Sequence, residues 1–314
     1  TDRYFGYYVP SNSQRNKTAY KKGPAFISAE DVFSTFKDTD LSRYPNRSSD
    51  AEKGYPLMLQ FEKMIYSWGF GEYRDFLFLK YEITNYSPDT LYDCWLAPVM
   101  DVDIAERQRS SAGAANDRAK FVDCDTTLNM AAQWTNGDRG ERGKGFGYLG
   151  FDFLESPSVI KYYDTTRTAD PNSPGDTIIT IDERPKDKSP ADREFVRKDK
   201  HFYNANEQLG LRTFRNWSIQ DDRLNDEDRY NFISAGIRDG DTGPGDKRFM
   251  MATGPFHMRP GDTVRTVVGI ILANASNGAE ADGSCSDMGE LIKKDKFAQE
   301  VYDNNFRAPT PPLR

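Results

Sequence analysis

Residues 75–103, DFLFLKYEITNYSPDTLYDCWLAPVMDVD, constrain the fold of this chain more than any other stretch. Phe76, Phe78, Lys80, Glu82 and Thr84 share one parity, and Leu77, Leu79, Tyr81 and Ile83 share the other. The apolar residues run together at first and then alternate with polar ones. That pattern predicts a long β-strand buried on both faces at its start and on one face later. Asn85-Tyr86-Ser87-Pro88-Asp89 then strings turn formers together, and Leu91 to Leu96 resumes an aromatic-rich run. Strand, turn and strand predict a central hairpin whose second arm ends in Asp101-Val102-Asp103, an acidic loop suited to a cation.

Size is no obstacle to a real core, since 314 residues suffice for one large all-β unit or two smaller ones. The net charge of −7 comes from interspersed acids and bases, with no basic stripe, which argues against nucleic acid as a partner. Aromatic residues make up 13% of the chain and favour strands over helices. Cys94, Cys124 and Cys285 show no CxxC metal spacing and allow at most one disulfide and one free thiol. Cys94 and Cys124 flank the acidic loop, which leaves two readings open: a disulfide that closes the loop, or two reduced core cysteines. The longest apolar run, Val264 to Ala275, is broken by Arg265 and Thr266 and is too short to span a membrane, so no transmembrane segment is expected. Thr1-Asp2-Arg3 does not resemble a signal peptide, so a secreted protein would be a mature or excised piece.

The predicted fold is mainly β: an antiparallel β-sandwich, jelly-roll-like, with a C-terminal amphipathic helix and irregular insertions. Residues 1–56 are polar and read as an irregular N-terminal segment, with a short helix or turn at Ser28 to Phe33. The sandwich is placed at 57–306, carrying a charge-rich insertion at 182–230 and the helix at 287–303. Strands are expected at 57–66, 128–134, 147–154, 178–181, 248–253 and 263–275. Leu209, Leu211, Phe214 and Trp217 are expected to anchor the insertion. In the helix, Met288, Leu291, Ile292, Asp295, Phe297, Ala298, Val301 and Tyr302 recur three and four apart. Residues 307–314 form a Pro-rich linker or docking tail, a candidate contact with further copies of the chain or with neighbouring modules.

Several phrases carry a resemblance. Phe78-Leu79-Lys80-Tyr81-Glu82-Ile83-Thr84-Asn85, Asp101-Val102-Asp103, Val122 to Asn129, Asp246 to Met250, Thr253-Gly254-Pro255-Phe256 with Pro260-Gly261-Asp262, and Ala298 to Phe306 are among them. Together they resemble an uncharacterised β-rich module of large secreted bacterial surface proteins, of the type with C-terminal sorting tails and fibronectin type III neighbours. The resemblance covers most of residues 57–306 and is weakest at 182–230. It implies an extracellular or cell-surface location and a neighbouring module, and it carries no known catalytic activity. It also implies that Asp-Thr pairs at Asp89, Asp125, Asp164, Asp176 and Asp262 could accept O-glycans, although Asp-Thr is equally a natural turn-to-strand junction.

Two acidic loops are candidate calcium sites, because calcium takes six to eight hard oxygen ligands. The first holds Asp101, Asp103, Asp117, Asp123 and Asp125, of which Asp101, Asp103, Asp123 and Asp125 are the expected ligands; the second, DGDTGPGD, offers Asp239, Asp241 and Asp246. Neither has EF-hand spacing, and solvated turn aspartates are the bland alternative. Only His201 and His257 are present, neither beside a cysteine or a Gly-x-Ser-x-Gly elbow, which argues against a hydrolytic triad. The expected function is a non-catalytic structural or adhesive module of a bacterial surface filament or sheath, stabilised by calcium. The alternative is a carbohydrate-binding or carbohydrate-processing secreted protein, because a glycoside hydrolase needs only two carboxylates.

Overall fold

The computed structural model describes residues 27–39, 56–104, 114–135, 145–159, 163–169, 171, 173, 175, 177–183, 195–197, 205–278 and 280–306. The expected tail at 307–314, the turn at 136–144 and His201 lie outside them. The chain is mainly β, with antiparallel sheets arranged as a sandwich.

The larger sheet has seven strands in the order β1 (Glu30–Lys37), β2 (Leu59–Ser67), β3 (Phe76–Asn85), β13 (Thr263–Ala273), β8 (Tyr148–Glu155), β7 (Met130–Thr135) and β6 (Asp117–Phe121). The smaller sheet runs β11 (Thr213–Ser218), β12 (Lys247–Met258), β4 (Leu91–Leu96), with β5 (Val99–Asp101) also on β12. A separate hairpin pairs β9 (Tyr163–Ala169) with β10 (Thr177–Glu183). Two α-helices are described, α1 (Asp226–Ile233) and α2 (Gly289–Asp303).

The nearly unbroken apolar run of β13 is explained by its place between β3 and β8, covered on both faces. Val267, Ile271 and Ala273 pack under α2, while Val268 and Ile270 point into the space between the sheets. The same alternation runs through β8: Tyr148, Gly150 and Asp152 share the face toward α2, and Phe151 and Phe153 share the other. α2 buries Leu291, Asp295, Ala298, Val301 and Tyr302 on this sheet, as its spacing predicts. Gly150 lets it lie close, since a Cβ there would stand 2.8 Å from Leu291 Cδ1. Phe121, Phe151, Phe214, Phe249 and Met251 fill the layer between the two sheets. Ile83, Val159, Phe256 and Met258 close its far end.

Four expectations are corrected here. β3 is central, but it does not form a hairpin with β4: it pairs with β2 and β13, while β4 pairs with β12 in the other sheet. The turn between them is a corner. Asn85 donates through Nδ2 to Asp89 O (3.0 Å) and Met258 O (3.1 Å), and its backbone N–H and C=O bond Asp262 O and Gly261 N. This ties the corner to the Pro260-Gly261-Asp262 turn, which likewise carries the chain between sheets. Residues 28–33 are not helical: Asp31 accepts the N–H groups of Ile27 and Ser28 in a turn, and β1 follows inside the segment expected to be irregular. The 182–230 insertion supplies β11, an integral strand whose Phe214 is fully buried. The cysteine paired with Cys124 is Cys285, 161 residues away; Cys94 is free, because β4 sits in the other sheet from the loop that carries Cys124.

Candidate cation centre

The first predicted ligand set does not assemble. Asp101 pairs with Arg248, 2.9 Å from Nη2, across the β5–β12 ladder. Asp123 meets Lys120 at 3.4 Å. Asp125 accepts Lys296 Nζ at 2.7 Å and also the backbone N–H and hydroxyl of Thr127, which hold its carboxyl down at about 2. In the second loop, Asp239 accepts Arg215 Nε and Asn216 N, both at 3.0 Å, and Asp241 accepts Arg118 and the N–H of Gly243. These aspartates are engaged in loop folding. Asp123, Cys124 and Cys285 also come together, but both sulfurs are spent in the disulfide and offer no thiolate.

Asp103 of the first expected ligand set and Asp246 of the second lie instead beside Asp117, the aspartate of the first loop outside the expected ligands. Asp117 opens β6, where Thr135 is its cross-strand partner and Gln133 lies two residues along β7, on the face toward the smaller sheet. Its carbonyl accepts the N–H of Gly245 at 3.0 Å, an antiparallel bridge that brings the second loop to the first. The side chain is fully buried: Oδ1 accepts Ile104 N at 3.3 Å, and Oδ2 has no partner. Gln133 Nε2 donates to Val102 O, while Gln133 Oε1 and Thr135 Oγ1 are both unpartnered.

Burial pushes the Asp117 carboxyl up to about 8; the charges of Asp103 and Asp246 add to this, against the hydrogen bond from Ile104 N–H. Such a corner, rich in oxygen acceptors, fits a hard cation. The three carboxylates do not all approach within 4.8 Å of one another. An ion there would take Asp117 and Gln133 Oε1 directly, with backbone carbonyls and water completing the shell. The signal available in sequence was Asp117 itself, an acid on the same parity as Ala119 and Phe121 in a strand that buries that face.

No protein-family model matches the chain, and a search of curated proteins returns no match. Among the described residues, no helix is long and apolar enough to cross a membrane.

Proposed function

We propose that this chain is a non-catalytic structural module of an extracellular bacterial surface assembly, with calcium at the corner formed by Asp103, Asp117, Gln133 and Asp246. The observation that carries the reading is the buried, unpartnered Asp117 Oδ2, placed where β6 of the larger sheet meets Gly245, two residues before β12 of the smaller one. An ion there would join the two sheets, so its role is to hold the sandwich. The Cys124–Cys285 disulfide supports export, since such bonds persist in oxidising compartments.

The test is thermal unfolding with calcium or chelator. At calcium a hundredfold above Kd, mass action stabilises the fold by about 2.7 kcal/mol. Over a chain of 314 residues this amounts to about 4 °C. Asp117→Asn should remove the part of the calcium response that comes from this corner, so its shift is smaller than wild type's, and it should still fold, because the amide is isosteric and needs no counter-charge. An unchanged melt in chelator and in calcium overturns the calcium reading.

A second reading, glycan binding, has one specific observation in its favour. Trp95, which is only partly buried, lines an open depression with Arg212, Arg238 and Pro255, and an aromatic side chain sharing a depression with Arg212 suits an acidic sugar, although the Arg238 guanidinium is already held by Phe121 and Leu211 O. Retention of wild-type but not Trp95→Ala protein on an immobilised uronic-acid polysaccharide would support it; equal retention would dismiss it.

A further inference from the structure

We infer that a second hard divalent cation binds beneath α2, between Asp152 of β8 and Asp295 of α2, reached from the cleft beside them. Neither residue belongs to the acidic loops or to the Asp117 corner, and the inference stands or falls apart from that site.

Asp152 follows Tyr148 and Gly150 on the face of β8 that α2 covers, and Asp295 sits in the buried stripe of α2 one turn after Leu291. In a stripe of Leu, Ala, Val and Tyr, an aspartate requires a specific partner. Asp295 is fully buried with both carboxylate oxygens unpartnered, and Asp152 is 3% exposed with Oδ1 unpartnered. Three orphaned carboxylate oxygens in one layer are costly, since a buried charge is tolerated only when paired, hydrogen-bonded or ligating a metal. Asp287, equally buried at the other end of this layer, shows the satisfied alternative. It accepts Tyr148 Oη at 2.6 Å, Asn277 N at 2.6 Å and Asp282 N at 3.2 Å.

The nearest cation acts on the pair only through its charge and makes no contact with the orphaned oxygens. Lys296 adjoins Asp295, but its Nζ is 2.7 Å from Asp125 and its side chain is 55% exposed. Burial raises both carboxyls above the ordinary range, and the charge of Asp152 adds to the rise at Asp295. Asp152 lines a cleft of about 450 Å³ together with Asn129, Gln208, Lys296, Gln299 and Tyr302. That cleft admits an ion and the waters that would complete its shell. The acceptors available are carboxylate, amide and hydroxyl oxygens, with no imidazole or thiolate among the lining residues, which selects calcium or magnesium over zinc or copper; the ammonium of Lys296, which also lines the cleft, is turned to Asp125.

The rival occupant is a single proton shared by the two carboxyls, and it makes opposite predictions. Chelator-treated protein is titrated with calcium chloride at pH 7.5 by equilibrium dialysis, using wild type, Asp117→Asn, Asp295→Asn and Asp152→Asn. Asparagine resembles the protonated acid, so these variants should fold, and far-ultraviolet circular dichroism verifies it. The inference requires that Asp295→Asn and Asp152→Asn each lose one equivalent, or bind it at least tenfold more weakly, while Asp117→Asn retains that equivalent. Should Asp295→Asn fail to fold, Asp152→Asn alone decides. The idea is overturned if both variants keep wild-type stoichiometry and affinity, or if wild type shows no calcium-dependent equivalent beyond the one that Asp117→Asn removes. It is also overturned if wild type takes up one proton between pH 8 and 6 that Asp295→Asn does not, unaffected by calcium or magnesium.

Discussion

Replacing Cys124 and Cys285 together by alanine should cost this protein about 5 kcal/mol. The bond closes a loop spanning 161 residues, from the connection after β6 to the turns that precede α2. In the chain-entropy account, closing such a loop removes about 17 cal/mol/K from the unfolded ensemble, which gives the 5 kcal/mol at 25 °C. With an unfolding entropy of about 2.1 cal/mol/K per residue, 314 residues translate this into a Tm lower by about 8 °C. The native fold should survive, because the turn carrying Cys285 has a second, non-covalent clasp: Gly283 N–H donates to Tyr148 Oη at 2.8 Å, and Tyr148 donates to Asp287. Urea unfolding followed by circular dichroism and by tryptophan fluorescence measures the difference, and wild type unfolded in reductant should reproduce the variant's midpoint. The variant should also show a larger m-value, since its unfolded chain is less compact. A loss below about 1 kcal/mol with an unchanged m-value would refute the argument that the bond acts through the unfolded state.

Arg265 offers a second test. Its Nε lies 2.7 Å from Glu155 Oε1, and Glu155, 1% exposed, also accepts the hydroxyl of Tyr302. Arg265→Met strands a buried carboxylate and should cost about 3–5 kcal/mol at pH 7.5. Burial already pushes Glu155 upward against the pull of Arg265. In the variant its folded pKa should stand far above the unfolded value, so the folded state binds more protons and stability should recover as pH falls toward 5. Urea midpoints at both pH values decide it, and equal losses would contradict the account. Cys94 gives a third, because burial, with Asp93 beside it, pushes its thiol up to about 11. At pH 8 about one thiol in a thousand is then ionised, so alkylation by iodoacetamide should run about two-hundredfold slower than for a free cysteine. The folded state holds its proton longer than the unfolded one. Its stabilising share is therefore complete below about pH 8.5 and lost as pH rises toward 11, and Cys94→Ala should flatten that part of the pH–stability curve.

The sequence by itself determined those elements whose period is local. β13 and β3 are continuous apolar runs, β8 alternates across two covered faces, and α2 repeats every three to four residues, so each was legible without knowing its neighbours. Partners were not legible. Asn85 to Asp89 would turn a hairpin as readily as a corner, and the corner was chosen by the hydrogen bonds from Asn85 to Asp262, Gly261 and Met258, residues over 170 positions away. The disulfide partner of Cys124 depended on the same long-range packing, which sets α2 and the turn before it against β7 and β8. Acidic residues were legible only as types. Asp101, Asp125, Asp239 and Asp241 face arginine or lysine, whereas Asp117, Asp152 and Asp295 are buried on three different elements, and the contrast depends on what lies opposite each one. One hint did reside in the chain, an aspartate within the apolar stripe of a helix. A carboxylate's cost depends on its distance from water and from counter-charge, and both distances are set when the sheets and the helix close on one another.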